Sequence, residues 1–314
     1  MTHSPDTPDH GGGVDAAAQR FGGARPDWID LSTGINPLPY PLPALSADAW
    51  TALPDAGAMQ ALETAARVFW DVPATAAVLA APGASALIAR LPFALQGERV
   101  EITAPTYNEH GRAYAAAGWG LGPGGAKVLV HPNNPDGRTW REEEAGAEIC
   151  VIDESFCDVM PEASLIRLAA RPGMVVLKSF GKFWGLAGLR LGFAIGDPAI
   201  LARLEQMLGP WPVSGPALEI GAQALGDTAW AEATRARLAA DATRLDALMG
   251  LPLVGGTTLF RLYDAGDAKA LQEALARRRI WSRVFPYSDR WLRLGLPGPQ
   301  DWPRLEAALR EIRA

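Results

Sequence analysis

Up to about residue 198, short apolar runs alternate with segments whose apolar positions recur every three to four residues. The runs Ala77–Ala80, Arg99–Thr103, Lys127–His131, Glu148–Ile152, Met174–Ser179 and Leu191–Ile195 predict strands. Several are continuously apolar rather than alternating, the pattern of strands covered on both faces. Helical spacing marks Ala58–Trp70, Ala84–Leu95, Glu109–Ala117 and Leu165–Arg171 between them. This alternation predicts an α/β layer built on a mixed, mostly parallel sheet. Beyond residue 198 the pattern changes. Pro198–Leu208 and Pro216–Met249 read as long helices, the second broken at Gly226–Asp227. Strand, helix, strand, strand and helix follow at Thr257–Tyr263, Asp267–Arg279, Ile280–Phe285, Trp291–Leu294 and Asp301–Ile312. That order predicts a smaller α+β unit. The first 30 residues, rich in Gly, Pro and Asp, read as an arm rather than a core element.

Length turns this pattern into a domain expectation. The 314 residues suit two domains: an arm over 1–30, a large domain over 31–205 and a small one over 206–314. A net charge of −6 argues against a general nucleic-acid binder. No apolar stretch reaches the ~18–20 residues of a membrane span, and the polar N-terminus shows no secretory segment. Cys150 and Cys157 lie in apolar surroundings and read as reduced thiols, which favours the cytoplasm. His3, His10, His110 and His131 show no paired ligand spacing, so no metal is expected.

The chemistry-bearing segments sit at strand ends. In Leu177–Gly192, LKSFGKFWGLAGLRLG, a strand runs into Ser179 and Lys182 amid Phe180, Phe183 and Trp184. A desolvated amine there is a competent Schiff-base nucleophile. VIDESF leaves Asp153 and Glu154 at the carboxyl end of a strand, where open α/β sheets bind ligands. A carboxylate in that place suits a protonated ring nitrogen. APGAS turns at Gly83 into a helix start, whose free amides at Ala84 and Ser85, with the Ser85 hydroxyl, can cradle a phosphate. HPNNPDG, at 131–137, reads alone as a turn after a strand.

Taken in order, APGAS, APTY, HPNNPDG, VIDESF, SFGK and GLAGLRLG resemble the fold-type I pyridoxal-phosphate enzymes of the aspartate and histidinol-phosphate aminotransferase branch. The resemblance implies an aspartate-aminotransferase-like large domain with a smaller α+β domain, pyridoxal 5'-phosphate as cofactor, and a homodimer. It implies that Lys182 carries the cofactor and that Asp153 pairs with its ring nitrogen. Asn134 donates to the ring oxygen, and Tyr107 stacks on the ring. Gly83, Ala84, Ser85, Ser179 and Arg190 hold the phosphate. WLRLGLPGPQDWPRL resembles the segment whose arginine grips the substrate carboxylate, which makes Arg293 the candidate. Asn134–Pro135 is expected to be cis, as in relatives.

Within this group the opening, with His10-Gly11-Gly12 and DLSTGINPLPYP, resembles the threonine-phosphate decarboxylases of cobalamin synthesis, as does DESFCDVMP, with Phe156 where many aminotransferases carry a tyrosine. The implied reaction is decarboxylation of L-threonine O-3-phosphate to (R)-1-aminopropan-2-yl phosphate. His10, Gly34 and Asn36 are the candidates for the substrate phosphate, with Arg20, Arg283 and Arg290 as unranked further donors. Two other readings stay open: an aminotransferase on histidinol phosphate or a similar amino acid, and a cofactor-free binding protein of the same fold. Serine phosphate is an open variant of the substrate. The sequence departs from the family at Gly181, at Leu53 and at Asp136, where relatives carry hydroxyl-bearing side chains near the cofactor phosphate or in the NPTG turn. The interval between Tyr107 and Asn134 is short, as is Gly137–Glu148. The large domain is therefore expected to be trimmed on one side of its sheet.

Overall fold

The computed structural model describes residues 10–313. The chain forms two compact units, one from Leu38 to Arg237 and one from the residues up to Pro37 with those from Leu238 on. In chain order the elements begin with α1 (Val14–Phe21), β1 (Ile29–Asp30), α2 (Asp48–Thr51), α3 (Ala56–Phe69), β2 (Ala77–Ala81), α4 (Ala84–Ala94), β3 (Arg99–Ile102), α5 (Asn108–Ala116), β4 (Gly120–Leu121) and β5 (Ala126–Val130). They continue with β6 (Cys150–Asp153), β7 (Met174–Ser179), β8 (Gly192–Gly196), α6 (Pro198–Leu208), α7 (Gly215–Gly226) and α8 (Thr228–Met249). The last are β9 (Leu253–Thr257), β10 (Phe260–Asp264), α9 (Ala268–Ala276), β11 (Ile280–Trp281), β12 (Arg283–Phe285), β13 (Ser288–Gly295) and α10 (Trp302–Arg313).

The larger unit is built on a seven-stranded sheet in the order β2-β8-β7-β6-β5-β3-β4. Only the two pairings made by β8 are antiparallel. The continuous apolar runs are its central strands: every residue of β6 and β8 is buried. Leu87, Leu91, Val100, Val128, Val151, Val175 and Leu177 share one core cluster. Burying each aliphatic side chain of this kind stabilises the fold by roughly 1.5–3 kcal/mol. Helix starts follow the sequence signals. Asp55 caps α3, Asp197 caps α6 ahead of Pro198, and Ser214 caps α7 ahead of Pro216. The break at Gly226–Asp227 is real, because Asp227 accepts from the Trp230 amide and caps the next helix.

Where elements differ from the sequence reading, local chemistry explains it. Leu165–Arg171 forms only a 3-10 turn over Ile166–Ala170. Pro172 disfavours helical backbone at Arg171, and Glu154 already holds the Leu165 amide. The short interval after Tyr107 leaves β4 as a two-residue edge strand, and Gly137–Glu148 keeps a single 3-10 turn at Glu142–Ala145. Asn134–Pro135 is cis, as are Ala104–Pro105 and His131–Pro132.

The smaller unit carries a four-stranded antiparallel sheet, β12-β13-β10-β9, and a parallel pair, β1-β11. The run expected as one strand at Thr257–Tyr263 is a hairpin. Gly256 admits the tight pairing, since a Cβ there would stand 2.3 Å from the Phe260 carbonyl oxygen. The run Ile280–Phe285 divides at the buried Ser282, so that it serves two sheets. Residues 14–30 are more than an arm. Val14, Ala17 and Trp28 pack with Ala276, and Phe21 and Trp281 lie against them. The spacing of Val14 and Ala17 puts both on one face of α1. The compositional change near 205 coincides with no break in compactness; the division falls at Arg237/Leu238, inside α8.

Candidate active site

A cavity in the larger unit opens where β5, β6 and β7 end at Val130, Asp153 and Ser179. All nine residues singled out for the cofactor line it: Gly83, Ala84, Ser85, Tyr107, Asn134, Asp153, Ser179, Lys182 and Arg190. Ser155, Phe156, Gly181 and Ala187 complete much of the wall.

One end is built for an anion. α4 starts at Ala84 behind Gly83, whose φ of 88° suits glycine, and no side chain caps it. Its first amides therefore keep their donors, backed by the positive end of the helix dipole. The Arg190 guanidinium lies directly against Gly83: a Cβ at Gly83 would stand 2.7 Å from Nη2. Gly192 lets β8 pass as close, since its Cβ would stand 2.4 Å from the Ala84 nitrogen. Gly181, which lacks the hydroxyl of relatives, has little room for one. A Cβ would meet Ala187 Cα at 3.3 Å, and its amide donates instead to Ser179 Oγ.

The other end is built for a cation. Asp153 is 2% exposed. Its Oδ2 lies 2.9 Å from His110 Nε2, and its Oδ1 accepts from the Ser155 amide and hydroxyl. Burial alone raises this carboxyl, but the His110 and Ser155 bonds outweigh it and hold the group below the usual carboxylate range. An ionised, buried carboxylate facing a cavity calls for a positive partner there. Tyr107, at the start of α5, is pushed up to about 12 by desolvation and then by Asp153, so it stays a neutral ring. Asn134 lies in the loop after β5. Asn133 braces that loop by donating to the Pro105 carbonyl and to Asp136, and by accepting from Thr106. Asp136 also accepts from the Arg138 amide, so it keeps the turn closed without the usual threonine.

Lys182 is half-buried and lines the same cavity. The aromatic residues that mark it in the sequence turn away from it: Phe180, Phe183 and Trp184 form fully buried packing. The Phe156 ring lies under the amine, 5.3 Å from Nζ to centroid. His110, Asn133 and Ser155 are functional neighbours that the sequence reading missed. For His110 the signal was present, since it lies three residues after Tyr107 and shares its helix face.

The substrate candidates belong to the smaller unit. Arg293, on β13, is 5% exposed and donates from Nη2 to the Ser32 carbonyl. Desolvation, then Arg283, lowers it to about 10, which leaves it protonated at neutral pH. Arg283 stands directly opposite it on β12. Both guanidinium groups face the Phe285 ring, at 5.3 Å and 6.0 Å. Like charges in register destabilise a sheet, so this pair fits a surface that meets an anion. The other arginines are engaged: Arg20 with Glu273, and Arg290 with Asp264. Gly34 and Asn36 are buried. His10 is exposed, and its carbonyl accepts from Arg283 Nη1.

Elsewhere in the larger unit, His131, Glu154 and Cys157 bring ligand atoms within 4.8 Å of one another. Each is committed to protein partners. His131 uses both nitrogens, on the Ala163 carbonyl and the Trp140 amide. Glu154 accepts from Lys178, Ser164 and the Leu165 amide, and Cys157 donates to the Met160 carbonyl.

Comparison with known proteins agrees with this geometry. A family model described as aminotransferase class I and II matches residues 122–309. A threonine-phosphate decarboxylase of Pseudomonas aeruginosa is 41% identical, over 96% of this chain and 97% of its own length. A histidinol-phosphate aminotransferase of Desulfitobacterium hafniense is 28% identical over 91% of this chain and 92% of its own. Among solved structures, histidinol-phosphate aminotransferase of Sinorhizobium meliloti in complex with pyridoxal-5'-phosphate superimposes with a TM-score of 0.79. It is 18% identical, with 99% of this chain and 98% of that one covered.

Proposed function

The chain belongs to the class I and II aminotransferase family, and from that premise we propose that it is a pyridoxal-phosphate-dependent carboxy-lyase acting on L-threonine O-3-phosphate. The product is (R)-1-aminopropan-2-yl phosphate, for the nucleotide loop of cobalamin. The observation that carries the substrate is the 41% identity, end to end, to a threonine-phosphate decarboxylase, against 28% to an aminotransferase. Incubation with L-threonine O-3-phosphate is expected to release CO₂ without an added keto acid. Amine transfer that needs a keto acid and releases no CO₂ would favour the aminotransferase reading.

The residues around the cavity suit this cofactor by donor type. A depressed carboxylate at Asp153 matches a protonated ring nitrogen, and the bare α4 start with Arg190 matches a phosphate. The Lys182 amine in the same cavity wall matches an aldehyde carbon. Bound there, the cofactor supplies an electron sink for the pair left at Cα when a bond to it breaks. Arg190, Ser85, Ser179 and the α4 amides would hold its phosphate, Asn134 would donate to its ring oxygen, and Tyr107 would pack against the ring. Phe156 adds bulk below Lys182 but no hydroxyl. The Lys182 amine would be the proton carrier: Nζ would hand a proton to Cα once CO₂ has left.

Arg293 is assigned the substrate carboxylate and Arg283 the phosphate, with His10, Gly34 and Asn36 as further phosphate contacts. The planar guanidinium of Arg293 offers a bidentate fork that lysine lacks. Arg293→Ala is expected to lower kcat/KM by the roughly 2–5 kcal/mol of a truncated buried ion pair. That corresponds to about 30- to 4,000-fold, and Arg293→Lys should restore little of it. Steady-state kinetics on both variants checks this.

The assembly we assign is a homodimer of a cytoplasmic enzyme. The larger unit exposes Leu42, Trp50, Leu53 and Val68, each by more than 65%, a concentration that marks an interaction face. Leu53 occupies the place where relatives carry a tyrosine that crosses the dimer interface. Light scattering is expected to give about twice 33.4 kDa, and Trp50→Asp with Leu53→Asp should give the single-chain mass. Cys150 and Cys157 are buried free thiols, in keeping with a reducing compartment. No helix among the described residues is long and apolar enough to cross a membrane.

A further inference from the structure

Directly behind the cavity, the larger unit buries three charged side chains that no catalytic step uses. Lys178, Glu154 and Asp158 are 2%, 1% and 4% exposed. Lys178 Nζ donates to Glu154 Oε2 at 2.5 Å and lies 3.8 Å from Asp158 Oδ1. Asp158 also accepts from two indoles, Trp70 Nε1 at 2.9 Å and Trp184 Nε1 at 3.1 Å. Its carbonyl accepts from Arg235 Nε. Burial, opposed first by Lys178, raises the Asp158 carboxyl, while Glu154 and Asp158 outweigh desolvation and raise the Lys178 amine.

The placement of these residues along the chain is informative. Glu154 directly follows Asp153, and Lys178 directly precedes Ser179 on β7. Side chains of consecutive strand residues point to opposite faces, so Lys178 backs the cavity residue Ser179 from behind, and Glu154, one residue past the end of β6, meets it there, with Asp158 reaching the same amine from the following 3-10 turn. Trp184 lies two residues past Lys182 and stacks between Phe180 and Trp230, at 5.1 Å and 5.3 Å with interplanar angles of 11° and 12°. One network thus reaches the strand end of Asp153, the strand end of Ser179 and the loop of Lys182. Desolvating such a cluster costs enough that well-packed apolar residues generally match or exceed it in stability. Stability alone is therefore a poor reason to keep it.

We propose that Lys178, Glu154 and Asp158, through Trp184, are positioning residues that fix the Lys182 amine relative to the Asp153 carboxylate. The network rests on the cofactor reading above, because the distance it fixes is the one between the groups assigned to the aldehyde and to the ring nitrogen. It acts by locking β6 to β7 beneath the cavity and by pinning the Lys182 loop through one indole N–H. A shift of the lysine against Asp153 changes how the lysine–cofactor bond is oriented and how readily it is protonated.

The test uses the purified holoenzyme and reads its visible absorbance and circular dichroism together with the melting of the apoprotein. The variants are Glu154→Gln, Lys178→Met, the apolar pair Lys178→Met with Glu154→Leu, and Trp184→Phe. The last keeps a stacked ring and removes only the N–H to Asp158. The expected result is a shift of the absorbance titration midpoint by at least half a pH unit. The visible dichroism should fall by about half in Glu154→Gln and Lys178→Met, with a smaller change of the same sign in Trp184→Phe. The apolar pair, which also frees the Ser164 hydroxyl and the Leu165 amide, should not recover the wild-type spectrum. Variants that melt earlier yet keep the wild-type midpoint and dichroism overturn the proposal, since a scaffold role predicts that pattern. If the first two variants fail to fold, an unchanged spectrum in Trp184→Phe overturns it by itself. A colourless wild-type protein that stays colourless with added cofactor overturns the cofactor reading and the proposal together. A visible band that ignores the variants overturns only the proposal.

Discussion

Lys182→Ala is expected to abolish CO₂ release from L-threonine O-3-phosphate and to leave no cofactor fixed to the chain after borohydride treatment. The position gives the reason. Lys182 lies in the wall of a cavity that also offers Asp153 to a cation and the α4 start with Arg190 to an anion. Among the lining residues it supplies the primary amine. Removing that amine removes the proposed attachment point and the proposed proton carrier at once. The proton carrier alone accounts for about 10²–10⁴-fold, and the lost covalent step adds to it. Asp153 and the α4 start with Arg190 are untouched, so Lys182→Ala should still bind the cofactor, non-covalently. Equilibrium dialysis would show cofactor retained, and mass spectrometry after borohydride would show the unmodified chain mass. Wild-type protein treated the same way should carry the label on the peptide containing Lys182. Retained turnover in Lys182→Ala would remove the amine from the chemistry altogether. Activity regained with added alkylamine would instead confirm that the missing function is the amine.

Much of this architecture was legible because it rests on short-range signals. Strand positions in the larger unit follow from apolar runs that end within a residue or two of the observed strands, and Pro198–Leu208 is a helix as read. The residues around the cavity were legible through the order of their motifs, which resembles that of the fold-type I pyridoxal-phosphate enzymes; read singly, each segment was only a strand end, a turn or a helix start. The hairpin at Leu253–Asp264 was not legible. Its turn depends on a close backbone approach that only Gly256 permits, and nothing in an apolar run reports such an approach. The N-terminal segment was hidden by composition. Its glycines and prolines suggest a loose arm, while Val14, Ala17 and Trp28 find their partners more than 200 residues later, in α9 and β11. The Lys178 network was invisible for the opposite reason. A lysine inside a strand reads as a surface residue until its carboxylate partners from another strand end are seen.

His110 also bears on the second of the two largest effects. Asp153→Asn is expected to cost on the order of 10²–10³ in kcat, the scale of one lost electrostatic contact to developing charge. The geometry makes this substitution worse than a simple loss of charge. In the wild type, Oδ1 accepts from the Ser155 amide and hydroxyl, while Oδ2 faces His110 Nε2. Asparagine has one oxygen. If it stays with Ser155, its amide nitrogen points at His110 and forces the imidazole to accept there. The imidazole proton then moves to Nδ1, a buried atom with no hydrogen-bond partner among the described residues. In the wild type the same atom is an unpartnered acceptor; turning it into a buried unpartnered donor adds to that cost, so the apoprotein should melt earlier as well. Its pH dependence separates the two effects. The native Asp153 carboxyl is held below its unfolded value, so its stabilising contribution is present above about pH 4 and fades as the pH falls through the lower folded value. Asparagine does not titrate. The melting gap between wild type and Asp153→Asn should therefore be full at pH 7 and narrow in acid. A gap that stays constant with pH would mean that His110 and Ser155 do not hold Asp153 ionised. The loss in kcat would then need a cause other than the charge proposed to pair with the ring nitrogen.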